Sequence, residues 1–156
     1  MKNLMIKTLV LSICQTNCYL VYNRNTKEGF IVDPADRAGV IIEQCRNIGM
    51  KPCAVLLTHG HFDHMSAAKE VRDHFKIPVY AGEKERELLG DAGMNLSAAW
   101  AKAVAMEADI WVKENDIMEL ADCSIRVIET PGHTPGGVSY YIEEEAVLFS
   151  GDTLFC

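Results

Sequence analysis

Three of the five histidines in this 156-residue chain fall within six residues, in His59-Gly60-His61-Phe62-Asp63-His64. The segment before them, Ala54–Leu57, is wholly apolar and reads as a buried strand that runs straight into Thr58-His59. Helical spacing of apolar residues follows over Met65–Phe75. A strand that delivers imidazoles and a carboxylate at its carboxyl end, with a helix returning behind it, belongs to an α/β chain. The spacing also carries chemistry. In extended backbone, positions i and i+2 point to the same side, so His59 and His61 can share one metal ion. Asp63 and His64 are neighbours and are expected to diverge toward a second centre. Imidazole nitrogen with carboxylate oxygen is a donor set for zinc, or for iron or manganese. Without a metal, these groups crowded together would repel one another or stay unpaired. With this composition, an HxHxDH pattern arises by chance with a probability on the order of 10⁻⁴ to 10⁻³.

Two further residues complete the candidate set. His133 lies in Thr130–Gly137 (TPGHTPGG), where two prolines and three glycines in eight residues exclude regular structure. A stiff loop of this kind pins a ligand, and its small residues let backbone and substrate approach closely. Asp152 follows the apolar strand Ala146–Ser150, and its two oxygens suit a bridge between metals that traps a shared hydroxide. Asp33, at the end of the short strand Phe30–Val32, reads as support for a ligand. His74 reads as an ordinary helix-surface histidine, Trp100 and Trp111 as core or interface, and Glu143–Glu145 as a solvated hairpin turn.

The remaining pattern is of one piece with this reading. Strands are expected at Met5–Leu11 and Cys18–Tyr22, joined by a polar turn at Gln15–Asn17. A helix over Val40–Ile48 stops at Gly49. Further on, a strand is expected at Pro78–Tyr80 and helices at Glu83–Leu89 and over 94–106. Strands follow at Ile110–Val112, Ile117–Leu120, Ile125–Glu129 and Val138–Ile142. Apolar residues make up 49% and charged residues 24%, which excludes fibrous and disordered classes. The net charge of −7, with no Lys/Arg cluster, argues against a nucleic-acid or anionic-membrane partner. The apolar run after Lys7 is shorter than a signal-peptide core, so a cytoplasmic location is expected. The six cysteines form no CxxC pair and are expected to be reduced.

The motifs THGHFDH (58–64), TPGHTPGG (130–137) and SGDTLF (150–155), in this order, resemble the metallo-β-lactamase superfamily, and within it the glyoxalase II-like hydrolases. TNCYLVYN (16–23) and FIVDP (30–34) resemble that branch's opening strands. The resemblance implies an α/β (α+β) fold, an αββα sandwich with a metal site at one edge of the sheets. It implies His59, His61 and His133 on a first metal, Asp63 and His64 on a second, and Asp152 bridging. Two Zn²⁺ ions are implied, with iron or manganese as alternatives. The implied reaction is hydrolysis of an acyl bond, foremost a thioester, by a metal-bound hydroxide, with His59, His61 and Asp63 as the catalytic set. The HxHxDH form separates the chain from flavodiiron relatives, which carry glutamate at the position of His61. A mononuclear-iron persulfide dioxygenase and an inactive metal-binding fragment are the alternatives. The expected partner is a small acyl or thioester substrate, and a homodimer is compatible. Residues 1–156 are expected to be a single domain, incomplete at its C-terminus, because relatives continue past the GDTLF segment. That continuation usually supplies another histidine for the second metal and much of the substrate surface.

Overall fold

The computed structural model describes residues 3–11, 15–100, 103–131, 134 and 136–151. His133 and Asp152 lie outside the described residues.

The chain opens with an antiparallel meander of β1 (Leu4–Leu11), β2 (Thr16–Asn23) and β3 (Glu28–Val32). It then crosses over through α1 (Ala38–Ile48) to β4 (Lys51–Leu56). A second crossover carries α2 (Phe62–Met65) and α3 (Ala68–Phe75) to β5 (Val79–Gly82). A third segment, with α4 (Arg86–Leu89) and α5 (Ser97–Trp100), leads to β6 (Ile110–Val112). Strands β3 to β6 are parallel, and the six strands form one sheet in chain order. Parallel crossovers share one hand, so connections that advance in one direction place α1 and α3 on the same face. The last four strands, β7 (Ile117–Leu120), β8 (Cys123–Glu129), β9 (Val138–Ile142) and β10 (Val147–Phe149), form a second, antiparallel sheet ordered β10-β9-β8-β7.

Two cores follow from the pleat. Leu20, Ile31, Val55 and Val79 face the helices and pack with Ile41, Cys45, Met65 and Val71. Their neighbours Val21, Phe30, Val32, Ala54 and Leu56 face the other way and pack on Ile125, Val127, Tyr140 and Phe149 of the second sheet. Burial on both faces explains why Ala54–Leu57 is continuously apolar rather than alternating. The outer face of the second sheet carries a row across all four strands, Ile117, Arg126, Tyr141 and Leu148. Ile117 and Leu148 in that row are exposed.

The structure departs from the sequence pattern in four places. Thr16 and Asn17 are paired with Leu11 and Val10 as the start of β2 rather than forming a turn. The helix expected over Met65–Phe75 is broken, because the Ala67 N–H donates to Pro34 O and leaves α2 separate from α3. The stretch expected as one helix from Glu83 begins as a 3-10 turn, Glu83–Glu85, before α4. Among the described residues of 94–106, only Ser97–Trp100 is helical. There the buried Asn95 and Ser97 bond the carbonyls of Leu89 and Val104, offering the backbone an alternative to a helix. Among the described residues no helix is long and apolar enough to cross a membrane. Cys18, Cys45, Cys53 and Cys123 carry free thiols.

Candidate metal centre

The described residues of the site sit at one edge of the sandwich, where the parallel strands end. Such strand ends are where α/β sheets place their ligands. β3 delivers Asp33, β4 delivers Thr58 to His61, and β5 delivers the Glu83–Glu85 turn. The antiparallel β2 contributes Thr16 at its start. Val138, the first residue of β9, ties the second sheet to the first, its N–H donating to Thr58 O at 2.9 Å.

Asp33 organises the edge. It is buried, in the left-handed region at φ 51°, a conformation that Asp tolerates better than most residues. One carboxylate oxygen accepts the Thr58 N–H at 2.8 Å. The other accepts the Thr58 hydroxyl at 2.6 Å and faces His64 Nδ1 at 2.9 Å. The Thr58 hydroxyl also lies 3.1 Å from His59 Nδ1. Asp33 thus reaches both imidazoles at Nδ1, directly for His64 and through Thr58 for His59. Oxygen partners of this kind fix the ring orientation and tautomer of metal-ligating histidines.

The described ligand candidates are close together. His59, Asp63 and His64 are 5%, 4% and 1% exposed, and His61 is half-buried at the N-cap of α2. The rings of His59 and His64 lie 5.1 Å apart between centroids. Asp63 accepts a hydrogen bond from the Thr16 hydroxyl at 3.1 Å and faces His64 Nε2 at 3.5 Å. Asp63 and His64 therefore converge rather than diverge. They occupy the first turn of α2, where neighbouring positions lie far closer in direction than on a strand. Burial pulls the His64 pKa down, but the charge of Asp33, its hydrogen bond and the charge of Asp63 outweigh this and raise it above the ordinary imidazole value.

Among the described residues, no three His, Cys, Asp or Glu side chains form a metal-binding group. The expected set draws two further members, His133 and Asp152, from outside them. The chain near those two residues is nonetheless packed against His59. A Cβ on Gly137 would lie 3.0 Å from His59 Nε2. A Cβ on Gly151, which precedes Asp152, would collide with Thr58 Oγ1 and lie 2.8 Å from His59 Nδ1. Thr134, beside His133, has a buried hydroxyl with no hydrogen-bond partner among the described residues. Buried imidazoles presented through Nδ1 oxygen contacts, beside a buried carboxylate, fit a divalent metal in the chemistry of their donors.

Two contributors carry no local sequence signal. The Tyr140 hydroxyl donates to Leu57 O at 2.7 Å across the sandwich, anchoring the end of β4. Glu85, 1% exposed, accepts the N–H of Gly60 at 2.8 Å and of Gly136 at 2.7 Å. Neither lies in a motif, and both act over long separations in the chain.

The fold is thus two packed sheets, with Asp33, His59, His61, Asp63 and His64 gathered where the parallel strands of the first one end. Residues 11–155 match the Metallo-beta-lactamase superfamily, and the chain belongs to it. It is 35% identical over 143 residues to the probable metallo-hydrolase YqgX of Bacillus subtilis, covering 90% of this chain and 67% of that protein. It is 28% identical over 153 residues to the hydroxyacylglutathione hydrolase GloC of Haemophilus influenzae, covering 96% and 72%. Among solved structures, it is similar to the BLEG-1 B3 metallo-beta-lactamase, at 41% identity and TM-score 0.87, covering 94% of this chain and 71% of that one. It is also similar to TTHA1623 in a di-iron-bound form, at 30% identity and TM-score 0.78, covering 96% and 73%. The fold expected from the motifs, the metallo-β-lactamase sandwich, is the one observed.

Proposed function

We propose that this chain, loaded with metal, hydrolyses an acyl bond in a small molecule, foremost a thioester. The observation that carries the reading is the buried pair His59 and His64, both oriented from Asp33, beside the buried carboxylate Asp63. The likeness to a hydroxyacylglutathione hydrolase supports the choice of bond. In the proposed ligand set, His59, His61 and His133 hold one metal, Asp63 and His64 a second, and Asp152 bridges. When bound, zinc or iron there supplies a Lewis acid and lowers the pKa of a water to about 7 for zinc.

The protein groups supply orientation. Asp33 and Thr58 keep the two rings from rotating, so their Nε2 edges hold a constant direction. Thr16 holds one Asp63 oxygen, leaving the carboxylate oriented to position the attacking water. Burial of His59, Asp63 and His64 keeps bulk water from competing with these contacts. A thiolate leaves without help from a strong acid. The acidic charge matches a small-molecule substrate rather than a polyanion.

The test is a panel of S-acylglutathiones, other thioesters, lactones and phosphodiesters offered to the zinc- and iron-loaded protein, with metal counted per chain. Thioester turnover that disappears on chelation is expected. Absence of hydrolysis across the panel overturns the reading. One iron per chain with oxygen uptake on a persulfide replaces it with a dioxygenase.

A further inference from the structure

Glu85 is a fully buried acid that the reaction above does not use. It sits in the 3-10 turn after β5, and its carboxylate bonds two main-chain amides from different parts of the chain. One belongs to Gly60, between His59 and His61. The other belongs to Gly136, three residues past His133. The fit is close on both sides. A Cβ on Gly60 would lie 2.8 Å from Glu85 Oε2, and one on Gly136 would collide with the backbone of Lys84 and Glu85. A Cβ on Gly82, at the end of β5, would collide with Gly136 O. On the exposed side, Lys84 Nζ reaches Glu129 Oε1 at 3.3 Å, at the start of the same loop.

We propose that Glu85 is a positioning residue that sets the separation of the two histidine-bearing segments and holds them ready for metal before metal arrives. The proposal rests on the metal-centre reading above. The chemistry of the side chain carries it. A carboxylate offers an acceptor oxygen to each amide, whereas a carboxamide of the same shape offers only one. A charge buried with main-chain amides as its hydrogen-bond partners is a costly way to fasten a loop. It is suited to drawing two backbones together at one fixed distance.

The experiment compares Glu85→Gln, Glu85→Asp and the wild-type protein by Zn²⁺ competition against a chromogenic chelator and by the visible spectrum of the Co²⁺-substituted proteins. Glu85→Gln is expected to bind zinc about 10- to 100-fold more weakly and to shift the cobalt bands, while the metal-free variant still unfolds cooperatively. Glu85→Asp keeps both acceptors on a shorter stem and is expected to bind more tightly than Glu85→Gln. Zinc affinity of Glu85→Gln within twofold of wild type with an unchanged cobalt spectrum overturns the proposal, as does the reverse order of the two variants. If wild type itself binds neither metal, the metal-centre reading fails. If wild type binds and Glu85→Gln binds equally, only the role of Glu85 fails. Should Glu85→Gln not fold, amide exchange in the metal-free wild type decides. Protected Gly60 and Gly136 amides uphold the clasp, and amides exchanging at the rate of exposed loops refute it.

Discussion

Replacing Asp33 by Asn keeps the shape of the side chain and removes one acceptor and the charge. Asp33 accepts the Thr58 N–H, accepts the Thr58 hydroxyl, and pairs with His64 Nδ1, at 2.8, 2.6 and 2.9 Å. If the single Asn oxygen stays on the Thr58 N–H, the amide group faces the other two partners. The Thr58 hydroxyl can rotate to accept, but the His64 Nδ1–H meets another donor. His64 must then move its proton to Nε2, the nitrogen facing Asp63. All three contacts lose their charged partner and become neutral, and the His64 contact survives only through this change of tautomer. At roughly 1.5–3 kcal/mol for each charged bond, the metal-free protein should lose about 2–4 kcal/mol. That is a large share of a typical stability of about 5–15 kcal/mol. Urea unfolding of both proteins, followed by tryptophan fluorescence, measures the loss.

The sign of the pH dependence checks the cause. In the wild type the folded His64 pKa is raised. Its contribution to stability is therefore complete below the unfolded imidazole value of about 6.5 and is lost as pH rises through the folded value. The gap between wild type and Asp33→Asn should be larger at pH 6 than at pH 9. Zinc affinity at neutral pH should fall about 10- to 100-fold, because the proton now occupies the nitrogen needed for coordination. A stability loss below about 0.5 kcal/mol, with zinc binding unchanged, would refute the reasoning.

Gly151→Ala forces a side chain into the left-handed region at φ 65° and into Thr58. The backbone cost alone is about 1–2 kcal/mol, so a lower melting temperature and weaker zinc binding are expected together. Tyr140→Phe keeps the ring and leaves the Leu57 carbonyl without its 2.7 Å donor. A loss of about 1–3 kcal/mol in urea unfolding is expected, with the fold preserved by circular dichroism. Burial pushes the Cys45 thiol up to about 12, and burial with nearby carboxylates pushes Cys123 to about 11. An unfolded thiol ionises near 9, so stability is whole below pH 9 and falls as pH climbs toward 12. Unfolding midpoints across that range should decline less steeply in Cys45→Ala.

The α/β class is legible in the sequence, and so is the donor cluster from which the candidate site is built. Ala54–Leu57 is apolar throughout because β4 is covered on both faces, and that burial leaves a mark on four consecutive residues. The His59-Gly60-His61-Phe62-Asp63-His64 cluster is equally local, so its chemistry is written in adjacent letters. The end of α1 at Gly49 follows from the residue itself, which adopts φ 79° there. Asp33 was legible as a support, because it follows a short buried strand.

Other features had no such mark. Nothing near Glu85 distinguishes it from Glu83 or Glu87, yet only Glu85 is sealed between Gly60 and Gly136. The convergence of Asp63 on His64 depends on α2 starting at Phe62, and the break after it depends on the carbonyl of Pro34, from another strand end. The sequence by itself determined which residues alternate, which are buried on two faces, and which donors stand side by side, since these are properties of short stretches of backbone. Only the tertiary structure decided which distant amides, hydroxyls and carboxylates meet. Those contacts satisfy polar groups that become buried when two sheets close on each other, and no local pattern records where that closure brings them.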